Sequence, residues 1–138
     1  KEIMEYIYDL GGLVFIVSGG FRENINVVAD TLGVSREFVF GNDFKKENKK
    51  IVGFDEKNIL TNSNGKVEVA KQIKNEYKDK KIICIGDGNS DYLMKKEKIV
   101  DEFFGFWRDV ERENLMREAN QNFFTSEELL RFLKVSFY

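Results

Sequence analysis

Apolar residues recur in four- and three-residue steps at Ile3, Ile7 and Leu10, which predicts a short helix over Glu2 to Leu10 closed by Gly11-Gly12. Leu13 to Val17 is a continuous apolar run of strand length, and its lack of alternation predicts burial on both faces, as in a parallel sheet. Ser18-Gly19-Gly20 closes that strand. A helix is then predicted from Phe21 to Leu32 on the stripe Ile25, Val28, Ala29 and Leu32, with Gly33 as its stop. Phe38 to Phe40 reads as a second strand, Asp43 to Lys50 as a charged turn, and Ile51 to Phe54 as pairing with Asp43-Phe44 in a hairpin. After a polar loop, a helix is predicted from Gly65 to Tyr77, capped by Ser63 or Asn64. Ile82 to Ile85 is another apolar strand, ending in Gly86-Asp87-Gly88-Asn89-Ser90-Asp91 and a helix through Leu93 and Met94. Phe103 to Phe106 predicts a strand, Asp109 to Ala119 a helix, and Thr125 with Glu128 a capping box for a last helix carrying Leu129, Leu130, Phe132 and Leu133. Apolar strands alternating with helices predict an α/β fold with a mainly parallel sheet and flanking helices, in one domain over residues 1–138 without linker or repeat.

Composition narrows the chemistry. The chain has 138 residues, no histidine and one cysteine. Serine–histidine and cysteine–histidine catalysis, histidine-ligated zinc and an internal disulfide are therefore excluded. The lone Cys84 lies in an apolar strand and reads as an inert core thiol in a reducing, cytoplasmic setting. A formal charge of −2 argues against nucleic acid or an anionic membrane as a main partner, so the basic run Lys45 to Lys50 reads as a solvated turn. No apolar run approaches the roughly 18 residues of a membrane span. The chain begins at Lys1 rather than methionine, which suggests a processed or cut fragment.

Ligands of open parallel sheets bind beyond the carboxyl ends of the strands, and two strands here end in polar, glycine-rich turns. Ser18-Gly19-Gly20 could offer a hydroxyl and a nest of amides to an anion at a helix N-terminus. Taken alone it reads equally as a plain strand-to-helix turn with Ser18 as cap. Asp87-Gly88-Asn89-Ser90-Asp91 places two carboxylates around a tight turn, a donor set that suits Mg²⁺. Taken alone it is also a capped or calcium-like turn. Lys66 stands at a predicted helix start, against the dipole, and is either a phosphate-directed cation or a solvated surface lysine. Together the three specify a site for Mg²⁺ and a phosphoryl group, provided Ser18, Lys66 and Asp87 meet at one pocket.

Phe15-Ile16-Val17-Ser18-Gly19-Gly20-Phe21, Lys66 and Ile85-Gly86-Asp87-Gly88-Asn89-Ser90-Asp91 resemble motifs II, III and IV of the haloacid dehalogenase superfamily, and within it those of the phosphoserine phosphatase family. Asn42 and Gly53-Phe54-Asp55 resemble that family's eukaryotic members, and the likeness runs from about Leu13 to Leu133. The resemblance implies a Rossmann-like core and a Mg²⁺-dependent phosphomonoester hydrolase that converts O-phosphoserine and water to serine and phosphate in serine biosynthesis. It implies that Ser18, Gly19 and Gly20 hold the phosphate and that Lys66 neutralises it. Asp87 and Asp91 would serve the metal, while Ser90 and Arg112 would line the substrate site. Phe106-Trp107-Arg108-Asp109 departs from the small glycine-rich turn usual before Arg112.

The chain also departs by omission. The family's nucleophile lies in a D-x-D-x-T/V motif on a first strand, followed by a cap that recognises the serine group, and this sequence contains neither. The expectation is an incomplete core that is inactive alone, the full protein reacting through an aspartyl-phosphate. The missing strand would lie between those carrying motifs II and IV. Those two strands are then expected to close up on each other, or to be completed by a missing N-terminal segment or by self-association. The alternatives are another small-molecule phosphatase of the superfamily, a non-catalytic phosphate- or Mg²⁺-binding α/β module, or a silent fragment.

Overall fold

The structure, a computed structural model, describes residues 1–138 and divides into two compact units, Lys1–Gly65 and Lys66–Tyr138. In the first, helix α1 (Glu2–Asp9) precedes strand β1 (Ile16–Phe21), helix α2 (Arg22–Leu32) and strand β2 (Val39–Asn42). β1 and β2 are parallel, and a β-hairpin of β3 (Phe44–Glu47) and β4 (Lys50–Phe54) follows. Ala29, Val34 and Val39 form the core, packed by Met4, Val14, Ile16, Ile25, Leu32 and Phe38. α2 stops where predicted: Gly33 is left-handed (φ +78°), and the Val34 N–H closes back on the Ala29 carbonyl at 2.9 Å.

β1 begins later than its apolar run suggests, because its ladder starts only where β2 supplies a partner, at Ile16 opposite Val39. It then runs through the residues expected to turn. Val17 pairs with Phe40 and Phe21 with Asn42, so Ser18, Gly19 and Gly20 face the single residue Gly41 as a bulge. A Cβ on Gly41 would displace the tip of Ile25 and crowd the Gly20 carbonyl at 3.1 Å, so glycine eases the close approach of this bulge. The hairpin is longer than expected: Lys45 to Glu47, read as turn, are strand, and the turn is Asn48-Lys49 with both residues at positive φ.

The second unit holds a parallel sheet in the order β5 (Ile83–Gly86), β6 (Glu102–Phe106), β7 (Gln121–Phe123). Helices α3 (Gly65–Glu76, beginning at the unit boundary), α4 (Asn89–Lys96), α5 (Glu113–Met116) and α6 (Ser126–Ser136) accompany it. Successive side chains on a strand take opposite faces, which places the adjacent Phe103 and Phe104 in different cores. Phe103 packs with Trp107 and Leu115, while Phe104 meets Phe123 and Phe132 at ring centroids of 5.7 and 5.5 Å. A third cluster joins Val67, Ala70, Met94, Ile99 and Val100.

Two predictions for this unit change. The helix over Asp109 to Ala119 shrinks to α5 with Arg112 as its N-cap, because Val110 is exposed and Leu115 is its one buried anchor. The residues before it are tied to β7 instead: the Trp107 N–H donates to the Phe123 carbonyl at 2.8 Å and the indole Nε1 to Asn122 Oδ1 at 2.7 Å. The cap of α6 is formed by Thr125 accepting from the Glu128 N–H, but the Glu128 carboxylate reaches Phe124 rather than the cap residue itself. The fold is mixed α/β with parallel ladders and flanking helices, as expected. Within the first unit the ladder partner of β1 is β2, and within the second that of β5 is β6; the other edge of each strand has no ladder partner.

Candidate functional site

In the second unit the chemistry collects at the carboxyl end of β5. The apolar strand delivers Gly86 to the edge, and α4 starts three residues later with Gly88 as N-cap. Asp91, in the first turn of α4, folds back on this turn. Its Oδ2 accepts the Gly88 N–H at 3.1 Å, and the carboxylate lies where a side chain on Gly86 would be. Gly86 is thus required by the close approach of the carboxylate. Asp91 Oδ1 meets Lys66 Nζ at 3.2 Å; the side chains are 10% and 26% exposed respectively. That pairing answers the dipole penalty of a lysine in the first turn of α3, since a carboxylate replaces solvent as its partner.

Asp87 differs from Asp91 although both come from one turn. It is exposed and engages in no hydrogen bond or ion pair. Asp91 therefore has both oxygens committed, and Asp87 has both open. No group of three or more acidic, cysteine or histidine side chains is gathered to cage a metal. Two carboxylates suffice for Mg²⁺, which keeps several waters and takes one or two carboxylates plus substrate oxygens. The donor set fits that ion, with Asp87 as the open ligand and Asp91 as the group that shapes the turn. Ser90 is half-buried on α4, and Arg112 is exposed at the start of α5. Cys84, beneath this turn, has its thiol pushed up to about 12 by burial, with the Asp91 charge adding to the effect, so it stays protonated and inert.

In the first unit the Ser18-Gly19-Gly20 bulge is organised by side chains. Ser18 does not cap α2, whose N-cap is Phe21; its Oγ accepts the Gly20 N–H at 3.0 Å. The amide expected to face an anion is thus already hydrogen-bonded within the loop. Asn42 is 8% exposed, and its Nδ2 donates to the Gly19 carbonyl at 2.8 Å and to the Leu60 carbonyl at 3.2 Å. Its Oδ1 is buried without a partner. Such an orphan costs about 1–3 kcal/mol. Asn58 repeats the pattern beside it, with Nδ2 donating to the Gly41 carbonyl and to Asp43, which also holds Arg22 at 3.2 Å. A cavity of about 300 Å³ opens here, lined by Gly19, Phe21, Asn42, Phe54, Leu60 and Thr61.

The structure thus brings Lys66 and Asp91 into contact, sets Asp87 on the same turn, and gathers Ser18, Gly19 and Gly20 in one bulge. The sequence reading assigned no role to Asn42 or Asn58. For Asn42 the available signal was position, at the carboxyl end of the parallel strand β2, where ligands of such sheets bind; Asn58, beyond the exposed strand β4, carried none.

A sequence profile described as haloacid dehalogenase-like hydrolase matches residues 1–96. Human phosphoserine phosphatase is 36% identical over 120 residues, covering 86% of this chain and 52% of the relative. The chloroplastic phosphoserine phosphatase of Arabidopsis thaliana is 35% identical over 121 residues, covering 87% and 41%. The chain therefore spans about half the length of the curated relatives it matches. A phosphoserine phosphohydrolase-like protein from Francisella tularensis superposes with a TM-score of 0.83 at 25% identity, over 96% of this chain and 60% of that one.

Proposed function

Because this chain belongs to the haloacid dehalogenase-like hydrolase family, we propose that it carries the phosphate- and Mg²⁺-binding part of a phosphomonoester hydrolase acting on O-phosphoserine. The observation that carries the reading is the turn after β5, where Lys66 and Gly88 hold both oxygens of Asp91 while Asp87 stays open to a hard cation. Mg²⁺ bound there would supply a Lewis acid for phosphoryl oxygens. Asp87 would be its protein ligand, with Asp91 orienting the turn and Lys66. The Lys66 ammonium would offset phosphoryl charge, and Ser18 with the Gly19 and Gly20 amides would hold phosphoryl oxygens. Ser90 and Arg112 belong to the substrate side of the reading.

The likeness of one solved chain to 96% of this one supports treating residues 1–138 as a single core domain of the family. No helix is long and apolar enough to cross a membrane, and cytoplasmic serine biosynthesis is the setting we propose. The attacking carboxylate is not among this chain's motifs, since no D-x-D-x-T/V occurs. The unpaired edges of β1 and β5 support completion by an extended segment or by another copy.

Two measurements test this. Mg²⁺ titration should saturate in the wild-type chain and weaken at least about tenfold in Asp87→Asn, a loss of about 1.4 kcal/mol; unchanged binding overturns the metal assignment. The chain alone, given O-phosphoserine and Mg²⁺, should release no phosphate above the protein-free blank, and release at enzymatic rates would overturn the assignment of the attacking group to another segment.

A further inference from the structure

We infer that Asn42 is a positioning residue for the anion loop: it sets the orientation of the Gly19–Gly20 peptide and thereby decides whether the loop shows an N–H or a carbonyl to a phosphoryl group. The inference rests on the reading of Ser18-Gly19-Gly20 as a phosphate loop and adds a residue outside it.

The argument starts from the bulge. Three residues of β1 face one residue of β2, so this stretch lacks the one-to-one ladder that orients peptides elsewhere in the strand. Two of the three are glycines, whose backbone turns over at little steric cost. Nothing intrinsic to Gly19-Gly20 then selects one peptide orientation. Side chains select it instead, one at each end of the same peptide plane. Asn42 Nδ2 holds the Gly19 carbonyl at 2.8 Å, and Ser18 Oγ holds the Gly20 N–H at 3.0 Å. The two ends of a trans peptide point in opposite directions. Fixing the carbonyl toward Asn42 therefore fixes the N–H on the Ser18 side.

The two clamps differ in permanence. Ser18 is half-buried, and its hydroxyl can rotate, releasing the Gly20 N–H to an incoming oxygen while donating its own proton. Asn42 is buried and anchored twice, to Gly19 and to Leu60, with Asn58 and Asp43 bracing the neighbouring backbone. It stays when Ser18 lets go. Asn42 Oδ1 is left unpaired in the interior, so the side chain is not held for its acceptor; what it contributes is the donor shared by the Gly19 and Leu60 carbonyls. An apolar side chain of similar shape would avoid that orphan. What it could not do is donate to the Gly19 carbonyl. Without that bond the flipped peptide is populated, and its carbonyl repels an anion. Apparent affinity then falls by the fraction of loops in the competent pose.

The test uses inorganic phosphate as probe, titrated in the presence of Mg²⁺ and followed through the Gly20 amide resonance, with a urea midpoint for each protein. Wild type should saturate, and Ser18→Ala should weaken binding. Asn42→Leu, which also strips a donor from the Leu60 carbonyl, should lower the urea midpoint modestly yet bind at least about tenfold more weakly under conditions where it is fully folded, and Asn42→Ala should bind as weakly as Asn42→Leu. If both Asn42 variants bind within twofold of wild type while Ser18→Ala does not, the inference is wrong. It is equally wrong if the loss of affinity in each Asn42 variant is accounted for by its unfolded fraction, or if neither variant folds, because Asn42 is then simply structural. Absence of saturable binding by wild type, or no effect of Ser18→Ala, overturns the phosphate-loop reading itself and this inference with it.

Discussion

The Lys66–Asp91 contact is a sharp place to test the energetics of the second unit. At 3.2 Å the bare Coulomb attraction is about 1.3 kcal/mol in water and about 5 kcal/mol at an effective dielectric of 20. Partial burial of both side chains opposes the larger figure through desolvation, and hydrogen bonds to charged groups typically net about 1.5–3 kcal/mol. We therefore expect a coupling of about 2 kcal/mol between the two residues. Lys66→Met leaves a nearly buried carboxylate with the Gly88 N–H as its one donor, and should cost about 2–3 kcal/mol. Asp91→Asn preserves shape but leaves the ammonium facing a neutral amide, at about 1–3 kcal/mol. The double variant should recover the coupling, being less destabilised than the sum of the two. Urea unfolding followed by Trp107 fluorescence is the assay, since Trp107 is the single tryptophan, 2% exposed, and lies in the same unit. The cycle should persist in high salt, because the pair is shielded from bulk solvent. A coupling below about 0.5 kcal/mol, the scale of an exposed pair, would refute the argument.

Asn122→Leu should cost about 1–3 kcal/mol and shift Trp107 emission, because the buried indole N–H loses its acceptor; unchanged emission and midpoint would contradict this. Lys49→Gly should raise the thermal midpoint by relieving a left-handed lysine (φ +64°) in the hairpin turn, for about 0.5–1 kcal/mol net, and a lower midpoint would count against it. Cys84 provides a pH test. Its thiol ionises near 9.0 when unfolded and near 12 in the fold, so between those values the unfolded chain binds fewer protons. Stability should therefore fall as pH rises from 9 toward 12, and wild type should lose it faster than Cys84→Ala between pH 9 and 10.5; parallel curves would show that the thiol is not shielded.

Elements whose burial is local were legible from the chain. Ile82 to Ile85 and Phe103 to Phe106 announced strands β5 and β6, and Gly33 announced the end of α2. The stripe on α2 was read slightly wide: Ala29 is buried but Val28 is 53% exposed, because a two-stranded ladder offers the helix a narrow seat. β7 left no pattern in three residues, of which Phe123 alone is buried; it exists because Phe104, Gly105 and Phe106 present a ladder to it. The strand character of Lys45 to Glu47 was hidden by charge, since both faces of an exposed hairpin can carry lysine. At the candidate site, the contact between Lys66 and Asp91 could be guessed from residue type, but which of Asp87 and Asp91 folds back over Gly86 could not, because the fold alone decides it. The bonds that Asn42 makes were likewise unreadable beyond its place at a strand end, as they arise from a bulge whose register only the fold defines.

The one-sided ladders of β1 and β5 leave the backbone groups along the outer edge of each strand without a ladder partner. Each such edge is a template for an extended peptide, and its occupation would be visible as slowed deuterium uptake along Ile16–Phe21 or along Ile83–Gly86. The rigidity of each polar tip would then be a property of its completed edge, conferred by whichever chain segment lies along it.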